Sequence, residues 1–365
     1  MARRDMIFDT HSHYDDGQFD EDRSEVLKKI GEDCRVVNAG ASLKSSRRSV
    51  ELAESYDFIY AAVGVHPDDS GDLFGLTKDD AERMRSAAEA SADGKECGEA
   101  GNTAVNGKEC GEVGNTAVNG KECGETGNTT TDGKKCGESG SNATDGKVCG
   151  ETGNTVADGK ECGETGTTVA DRGIFENLHI ERGIEELRRL AQSKKVVAIG
   201  EIGLDYHWDV WPREMQKKAF IAQWELAAEL KLPIEIHSRD AAEDTMMIVK
   251  EMRRKYPEIK VDMHCYSYSS EHAEEYLKLG LMFGIGGVAT FKNAKKLKEI
   301  LEWLPMDRIL LETDCPYMAP EPFRGKRNTS ALLTYVAEKI AEIKGITVEE
   351  VYRQTEANAI NFFGL

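Results

Sequence analysis

Eight short runs of apolar, mostly β-branched residues recur along the chain, with helical patterns between them. The runs lie at 6–8, 35–38, 58–65, 196–199, 233–236, 260–263, 282–285 and 309–311. In the segment 213–231, for example, Phe220, Trp224 and Leu230 fall on one face of a helix. Strands that alternate with helices predict a parallel sheet, and eight such units predict a (β/α)8 TIM barrel of the α/β class. A doubly wound open sheet is the alternative, but no Gly-x-Gly-x-x-Gly follows the first run.

Residues 93–170 form a low-complexity insertion of six tandem 13-residue copies, such as DGKECGEAGNTAV. Each copy carries one cysteine at the same position: Cys97, Cys110, Cys123, Cys136, Cys149 and Cys162. Such a unit buries too little apolar surface to offset the entropy lost on ordering. We therefore expect a single barrel domain over 1–365, interrupted between strands three and four by a flexible repeat. A short β-solenoid or a thiolate metal array is the alternative, although the repeat contains no Cys-x-x-Cys pair.

The chain is acidic, with 66 Asp and Glu against 47 Lys and Arg and a formal net charge of −19. This excess argues against a protein that holds nucleic acid or an anionic membrane by its overall field, so a phosphate-bearing substrate must be bound locally. No apolar run is long enough for a membrane span, and none resembles an export signal. The cysteine count of nine is odd, so a disulfide framework is not expected. These features predict a cytoplasmic protein with no membrane contact and no obligate protein partner.

Residues of metal-ligand type follow the predicted strands, at the end where TIM barrels carry their active sites. They are His11 and His13 after strand one, His66 after three, Glu201 after four, His237 after five, His264 after six and Asp314 after eight. Two imidazoles at i and i+2 can reach one ion, and a carboxylate from the middle strand can bridge two. Imidazole with carboxylate suits Zn, Mn, Fe or Ni, and a shared carboxylate also suits Mg or Mn. We therefore predict a site for two divalent metal ions.

Seven motifs resemble the successive motifs of the TatD family of metal-dependent hydrolases and cover nearly the whole chain outside the repeat. They are IFDTHSHYD at 7–15, GVHP at 64–67, GEIGLDY at 200–206, PIEIHSRDAAED at 233–244, HCYS at 264–267, LLETDCPY at 310–317 and RGKRN at 324–328. The resemblance implies a TIM barrel of the amidohydrolase group with two divalent ions, Mg, Mn or Zn. It implies two ligand sets, namely His11, His13, Glu201 and Asp314 for one ion, and Glu201, His237 and His264 for the other.

Two positions depart from the family pattern. Tyr268 stands where relatives usually have glycine, and Thr329 with Ser330 replaces the commoner Glu-Pro pair. Both departures are expected to lie at the substrate rim rather than at the metals.

A pair of ions about 4 Å apart would share a water, lower its pKa and neutralise charge on the group under attack. The expected activity is therefore hydrolysis, with a metal-bridging hydroxide as the nucleophile. Asp314 is the candidate that orients this water and accepts its proton, and Glu201 is the second catalytic candidate because it bridges the ions.

Five residues form the predicted substrate-binding set: His66, Arg239, Arg324, Lys326 and Arg327. His66 can donate to a phosphoryl oxygen, and Arg239 can contact substrate or brace His237. The other three are cations within four residues after strand eight, and beside a metal site they predict a phosphate clamp. Three aromatic residues follow strand four and can stack a base or pack against helices: Tyr206, Trp208 and Trp211.

Phosphodiester hydrolysis is the first functional hypothesis, because members of the resembled family are linked to deoxyribonuclease activity and the few cations suit a few nucleotides. It predicts a 3′ to 5′ exonuclease on single-stranded DNA or RNA, including short oligonucleotides. One alternative is an ester or amide hydrolase, such as one that removes a D-amino acid from tRNA. Another is a non-enzymatic scaffold that uses the repeat, although the six intact metal-ligand positions argue against it.

Overall fold

The computed structural model describes residues 7–96, 121–122, 134–135 and 180–365. The chain divides into two compact units, one of residues up to Ala81 with those from Leu178 on, the other of Glu82–Asn177. The first unit contains eight strands: β1 (Ile7–Ser12), β2 (Cys34–Ala39), β3 (Ile59–Val63), β4 (Val196–Asp205), β5 (Ile234–Arg239), β6 (Val261–Met263), β7 (Met282–Ile285) and β8 (Ile309–Leu311).

These eight strands form one parallel sheet in chain order, from β1 to β8. A parallel bridge between Ser12, at the end of β1, and Cys315, beyond β8, joins the two edges. The sheet is therefore a nearly closed (β/α)8 TIM barrel, which confirms the predicted fold class. Parallel order with helical crossovers places all the carboxyl ends of the strands at one end of the barrel.

Helices connect successive strands. They are α1 (Arg23–Ile30), α2 (Leu43–Ser55), α3 (Gly71–Phe74), α4 (Lys78–Glu96), α5 (Glu181–Leu190), α6 (Arg213–Leu230), α7 (Ala242–Lys255), α8 (Ser270–Lys278), α9 (Lys295–Trp303), α10 (Leu333–Lys344) and α11 (Val348–Phe363). Several begin at side-chain caps, since Ser42 accepts from Ser45 N and Ser269 from His272 N. No helix in the described part of the chain combines the length and hydropathy needed to cross a bilayer.

The last helix, α11, packs against the amino ends of the strands. Its Phe362 and Phe363 join Phe8 of β1, Val197 of β4 and Leu310 of β8 in one buried cluster. Burying an aromatic side chain of this size stabilises a fold by about 1.5–3 kcal/mol. Apolar packing thus occupies one end of the barrel and leaves the carboxyl ends of the strands to polar side chains.

Two strands extend well past their predicted ends. β1 continues to Ser12 and β4 to Asp205, although the apolar runs stop at residues 8 and 199. The residues added to β1 are all polar, and those added to β4 alternate Ile202 and Leu204 with polar residues or glycine, yet all of them are buried in the barrel. Gly203 has φ 145°, and a Cβ there would lie 1.9 Å from His237 O on β5, so that only glycine fits. Hydropathy therefore underestimates a strand whose end carries polar site residues.

Most of the predicted repeat, 93–170, lies outside the described residues. Within it, the structure describes the end of α4 and two two-residue strands, Lys121–Glu122 and Lys134–Lys135. These strands pair in parallel, with Lys121 opposite Lys134, which is one 13-residue repeat further on. The single interrupted domain, the flexible insertion and its two alternatives stay predictions.

Candidate metal centre

The six predicted metal ligands meet at the carboxyl ends of the strands. Five of them line an open cavity of about 1140 Å³: His13, Glu201, His237, His264 and Asp314. The sixth, His11, is fully buried. The five predicted substrate-binding residues line the same cavity. The structure therefore brings the whole predicted site together from segments that are distant in sequence.

The Glu201 carboxylate lies at the centre of this cluster. Its Oε1 is 2.7 Å from His237 Nδ1 and 3.8 Å from His264 Nε2. Its Oε2 is 3.7 Å from Nε2 of both His11 and His13. Each oxygen thus faces a different pair of the predicted ligand imidazoles, as a carboxylate that bridges two cations must.

One group of possible ligand atoms consists of His11, His13 and Asp314, all within 4.8 Å of one another. The Nε2 atoms of the two imidazoles are 3.2 Å apart, and Asp314 Oδ1 is 3.4 Å from His13 Nε2. Two imidazole nitrogens and a carboxylate that converge on one point have the donor chemistry that zinc and similar divalent ions prefer. The residues present therefore fit a cation at this position.

His66 forms a second group with Glu201 and His237, which raises the question of whether it binds metal too. Its Nδ1 accepts a hydrogen bond from the Asp68 backbone N–H at 3.1 Å. The proton of the neutral ring is therefore on Nε2, which lies 3.8 Å from Glu201 Oε1. A protonated nitrogen cannot bind a metal. His66 thus suits the predicted role of hydrogen-bond donor to substrate.

His264 lies between the two groups. Its ring stacks on the His11 ring at 3.6 Å and is 6.5 Å from the His237 ring. It shares a possible ligand group with His11 and Glu201. The His264 ring thus lies closer to the His11 ring than to the His237 ring, while its Nε2 faces the same Glu201 oxygen as His237.

Each predicted ligand imidazole has an acceptor beside its other ring nitrogen. Three of these are hydrogen bonds: His13 Nδ1 to Ala39 O at 3.0 Å, His264 Nδ1 to Glu312 Oε2 at 3.1 Å, and His237 Nε2 to Asp205 Oδ2 at 3.1 Å. The fourth imidazole, His11, has Glu235 Oε1 at 3.7 Å from a buried Nδ1 that makes no hydrogen bond. Such acceptors orient the ring and leave the opposite nitrogen free for a metal.

A layer of buried acidic side chains, which the sequence analysis did not identify, accompanies the ligands. Its members are at most 1% exposed: Asp9, Glu235, Asp262 and Glu312. Each stands two positions before a predicted ligand, and within β1 and β5 the two-residue period of a strand places both side chains on the same face. For Glu235 and Asp262 the signal that would have found them is a charged residue inside an apolar run, two positions before a ligand, whereas Asp9 and Glu312 directly follow such runs.

Burial and neighbouring groups set the protonation states in the cavity. Burial by itself would raise the pKa of Glu201, but the surrounding imidazoles outweigh it and hold this pKa well below its usual range. Burial lowers the pKa of His66 to about 3. At neutral pH Glu201 is therefore an anion and His66 a neutral imidazole, as their expected roles require.

Two residues at the strand ends have left-handed backbone, Asp314 with φ 55° and Cys265 with φ 45°. This conformation costs a non-glycine residue on the order of 1–3 kcal/mol. Hydrogen bonds hold both, because Asp314 N–H donates to His11 O at 3.0 Å and Cys265 N–H to Glu312 Oε1 at 2.7 Å. Such strain is concentrated at functional sites.

The three predicted clamp cations lie in different surroundings. Arg327 donates to both carboxylate oxygens of Asp22, at 2.8 and 2.5 Å. Arg324 is exposed, with its guanidinium 4.4 Å from the centre of the Phe291 ring, and Lys326 is exposed too. Arg324 and Lys326 are therefore better placed than Arg327 to meet a phosphate.

The three aromatic residues after β4 have different roles. Trp211 is only 2% exposed and donates its Nε1–H to Asp68 O at 3.1 Å, so it packs in the core and cannot stack a base. Tyr206 is half-buried, outside the cavity, and donates its hydroxyl to Asp244 at 2.6 Å. Trp208 is 60% exposed and lines the cavity.

The expectation that the two departures from the family pattern lie at the substrate rim is wrong, since none of their residues lines the cavity. Ser330 is fully buried and donates its hydroxyl to Asp9 Oδ2 at 2.6 Å. The Tyr268 hydroxyl lies 2.8 Å from Ser238 Oγ and accepts the Ala241 N–H at 3.2 Å. Both side chains support the walls of the barrel end.

Comparison with known proteins identifies the same family. The family model described as TatD related DNase matches residues 8–108 and 156–364. The uncharacterized metal-dependent hydrolase YabD of Bacillus subtilis is 33% identical over 360 residues, which is 98% of this chain and 99% of that protein. The 3′-5′ ssDNA/RNA exonuclease TatD of Pantoea ananatis is 38% identical over 184 residues, 49% of this chain and 70% of that protein.

Solved structures share the fold. YjjV, a TatD homologue of Escherichia coli, has a TM-score of 0.63 at 21% identity and covers 98% of both chains. A TatD family hydrolase of Entamoeba histolytica has a TM-score of 0.62 at 17% identity, again over 98% of both chains. At these identities the likeness shows the barrel alone.

Proposed function

The chain belongs to the TatD family of metal-dependent hydrolases, and from this premise we propose that it is a phosphodiesterase acting as a 3′ to 5′ exonuclease on single-stranded DNA or RNA. The observation that carries the proposal is the Glu201 carboxylate, whose two oxygens face different pairs of imidazoles. This arrangement supports two divalent ions, Mg, Mn or Zn, rather than one.

Six residues would hold the ions: His11, His13, Glu201, His237, His264 and Asp314. When bound, the ions would lower the pKa of a water and neutralise charge on the phosphodiester. Asp314 is the general base of the proposal. Burial would raise its pKa, but the contact with His13 outweighs this and keeps the pKa below its usual range. Asp314 is thus an anion that can orient the attacking water and accept its proton.

The remaining cavity residues would bind the substrate. His66 points its Nε2–H toward Glu201 and can donate to a nonbridging phosphate oxygen. Arg324 and Lys326 are exposed at the cavity wall and can pair with a neighbouring phosphate, whereas Arg327 contributes mainly by holding the loop against Asp22. Arg239 lies at the end of β5 and is exposed toward the same cavity.

The size and charge of the site favour a short nucleic acid strand. A volume of about 1140 Å³ exceeds the range of about 300–1000 Å³ that is usual for small-molecule pockets. The net charge of −19 disfavours long-range attraction of duplex, so binding relies on the few cations at the cavity. Relatives named as 3′-5′ ssDNA/RNA exonucleases, from Pantoea ananatis and Erwinia billingiae, support the same substrate class.

An activity screen tests this proposal. The purified chain with Mg²⁺, Mn²⁺ or Zn²⁺ is given bis-p-nitrophenyl phosphate, linear and circular single-stranded oligonucleotides, and aminoacyl esters. We expect cleavage of the phosphodiesters and of linear strands faster than circular ones. Equal cleavage rates for linear and circular oligonucleotides would exclude recognition of a strand end. Ester cleavage without phosphodiester cleavage would favour the D-aminoacyl-tRNA type of hydrolase instead, which the named relatives above do not support.

A further inference from the structure

Trp208 is the most exposed large apolar side chain in the described part of the chain, at 60%. It lies on the rim of the cavity that contains the predicted metal ligands. An exposed indole in such a place has a flat face that no core residue covers. Trp211, three residues on, shows the contrast, because it is buried in the core.

The Trp208 backbone is fixed relative to the metal centre. Asp205 Oδ1 accepts the backbone N–H groups of Trp208 and His207, at 3.0 and 2.9 Å. The other oxygen, Oδ2, accepts His237 Nε2–H at 3.1 Å. One buried carboxylate thus connects the segment that carries the indole to an imidazole proposed to bind metal. The fold therefore sets the position of the Trp208 backbone relative to the His237 imidazole.

A cation accompanies the indole. Arg239 is paired with Asp205 across β4 and β5, and its guanidinium carbon lies 5.6 Å from the centre of the Trp208 ring. The Arg239 side chain is exposed and lines the same cavity. The rim therefore offers an aromatic ring with a positive charge over it, and single-strand binding surfaces use aromatic rings for bases and cations for phosphates.

We propose that Trp208 and Arg239 form a subsite for the nucleotide next to the scissile phosphodiester, with its base stacked on the indole and its phosphate paired with the guanidinium. This inference rests on the proposed function and deepens it. An unpaired base has a free face, whereas both faces of a base inside a duplex are covered by its neighbours. The subsite accordingly selects single strands.

The subsite is tested by the binding of a short single strand that carries 2-aminopurine next to its 3′-terminal nucleotide. Stacking on the indole quenches the fluorescence of this base. The full chain with its metal ions is compared with Trp208→Ala and Trp208→Phe, on a strand with phosphorothioate linkages that resist cleavage. Trp208→Ala should weaken binding about 5- to 150-fold and abolish quenching, because stacking contributes about 1–3 kcal/mol per base and 1.4 kcal/mol is tenfold. Trp208→Phe should retain most of the affinity, and Trp303→Ala, at an exposed tryptophan outside the cavity, should match wild type.

An abasic strand separates stacking from other effects. Wild type and Trp208→Ala should bind the abasic strand with equal affinity. A difference between them on the abasic strand would overturn the subsite. Equal affinity of the two proteins for the intact strand would overturn it as well. With a cleavable strand and Mn²⁺, Trp208→Ala should raise KM for the intact oligonucleotide at least about fivefold more than KM for the abasic strand. If the wild-type chain cleaves no phosphodiester, the proposed function fails, and the binding comparison still decides the subsite.

Discussion

Glu312 holds His264 from inside the barrel, since its Oε2 accepts the Nδ1–H of the imidazole at 3.1 Å. Its Oε1 accepts the Cys265 N–H at 2.7 Å, so both carboxylate oxygens are occupied. Glu312 is fully buried and His264 is 6% exposed. The contact fixes the tautomer of His264 and turns its Nε2 toward Glu201 and Asp314, at 3.8 and 3.9 Å. A residue outside the predicted ligand set thus orients one of the predicted ligands.

Glu312→Gln is expected to weaken metal binding about 10- to 100-fold, because the amide removes the charge that orients His264 and raises its basicity. Metal titration by calorimetry measures this change. Glu302→Gln, the same substitution at an exposed position of α9, is the control. Wild-type metal affinity in Glu312→Gln would contradict a positioning role.

His66→Ala is expected to lower kcat/KM for phosphodiesters about 10- to 100-fold, since a hydrogen bond to a charged group is worth about 1.5–3 kcal/mol. Its metal content should equal that of wild type, because His66 presents a protonated nitrogen to the cavity. His264→Ala, by contrast, should lose bound metal. A His66→Ala protein that lacks one metal equivalent would make His66 a ligand.

Asp68 predicts a pH dependence of stability. Burial, aided by Asp205 nearby, raises the pKa of Asp68 from 3.8 to about 6. The folded state therefore binds this proton more tightly than the unfolded state, and the contribution to stability falls as pH rises from about 4 to 6. Asp68→Asn removes the charge and should raise the free energy of unfolding by about 1–2 kcal/mol at pH 8, after allowance for partial exposure, but not at pH 4. Urea unfolding of the metal-free protein at both pH values measures the free energy of unfolding. An equal increase at pH 4 and pH 8 would show that the titration of Asp68 is not the cause.

Deletion of residues 93–170, with a short Gly/Ser linker in their place, should leave metal content and turnover close to wild type. All eight barrel strands and every predicted site residue lie outside this segment. A shorter surface connection costs little loop entropy. Loss of soluble expression, or zinc bound in proportion to the number of repeat cysteines, would show that the repeat is structural.

The positions of the strands and of the metal-ligand types could be predicted from sequence, because alternating apolar runs locate the strands and barrel topology gathers their carboxyl ends. Contacts between residues that are distant in sequence could not be predicted in this way. The pairing of Arg327 with Asp22 and the hydrogen bond of Ser330 to Asp9 join positions 305 and 321 residues apart. No local pattern encodes such pairs, so the sequence alone places both Arg327 and Ser330 in the substrate region. The tautomer of His66 likewise depends on a turn that brings the Asp68 N–H to its ring.

Metal content of wild type and Glu201→Gln, measured by mass spectrometry after equilibration with Mn²⁺ or Zn²⁺, tests the central claim most directly. Glu21→Gln, at an exposed position, is the matched control. A neutral amide holds two cations poorly, so the variant should lose more than one of two metal equivalents and all turnover of bis-p-nitrophenyl phosphate, while the control keeps both. Unchanged metal content together with the wild-type rate in Glu201→Gln would contradict a binuclear site bridged by this carboxylate.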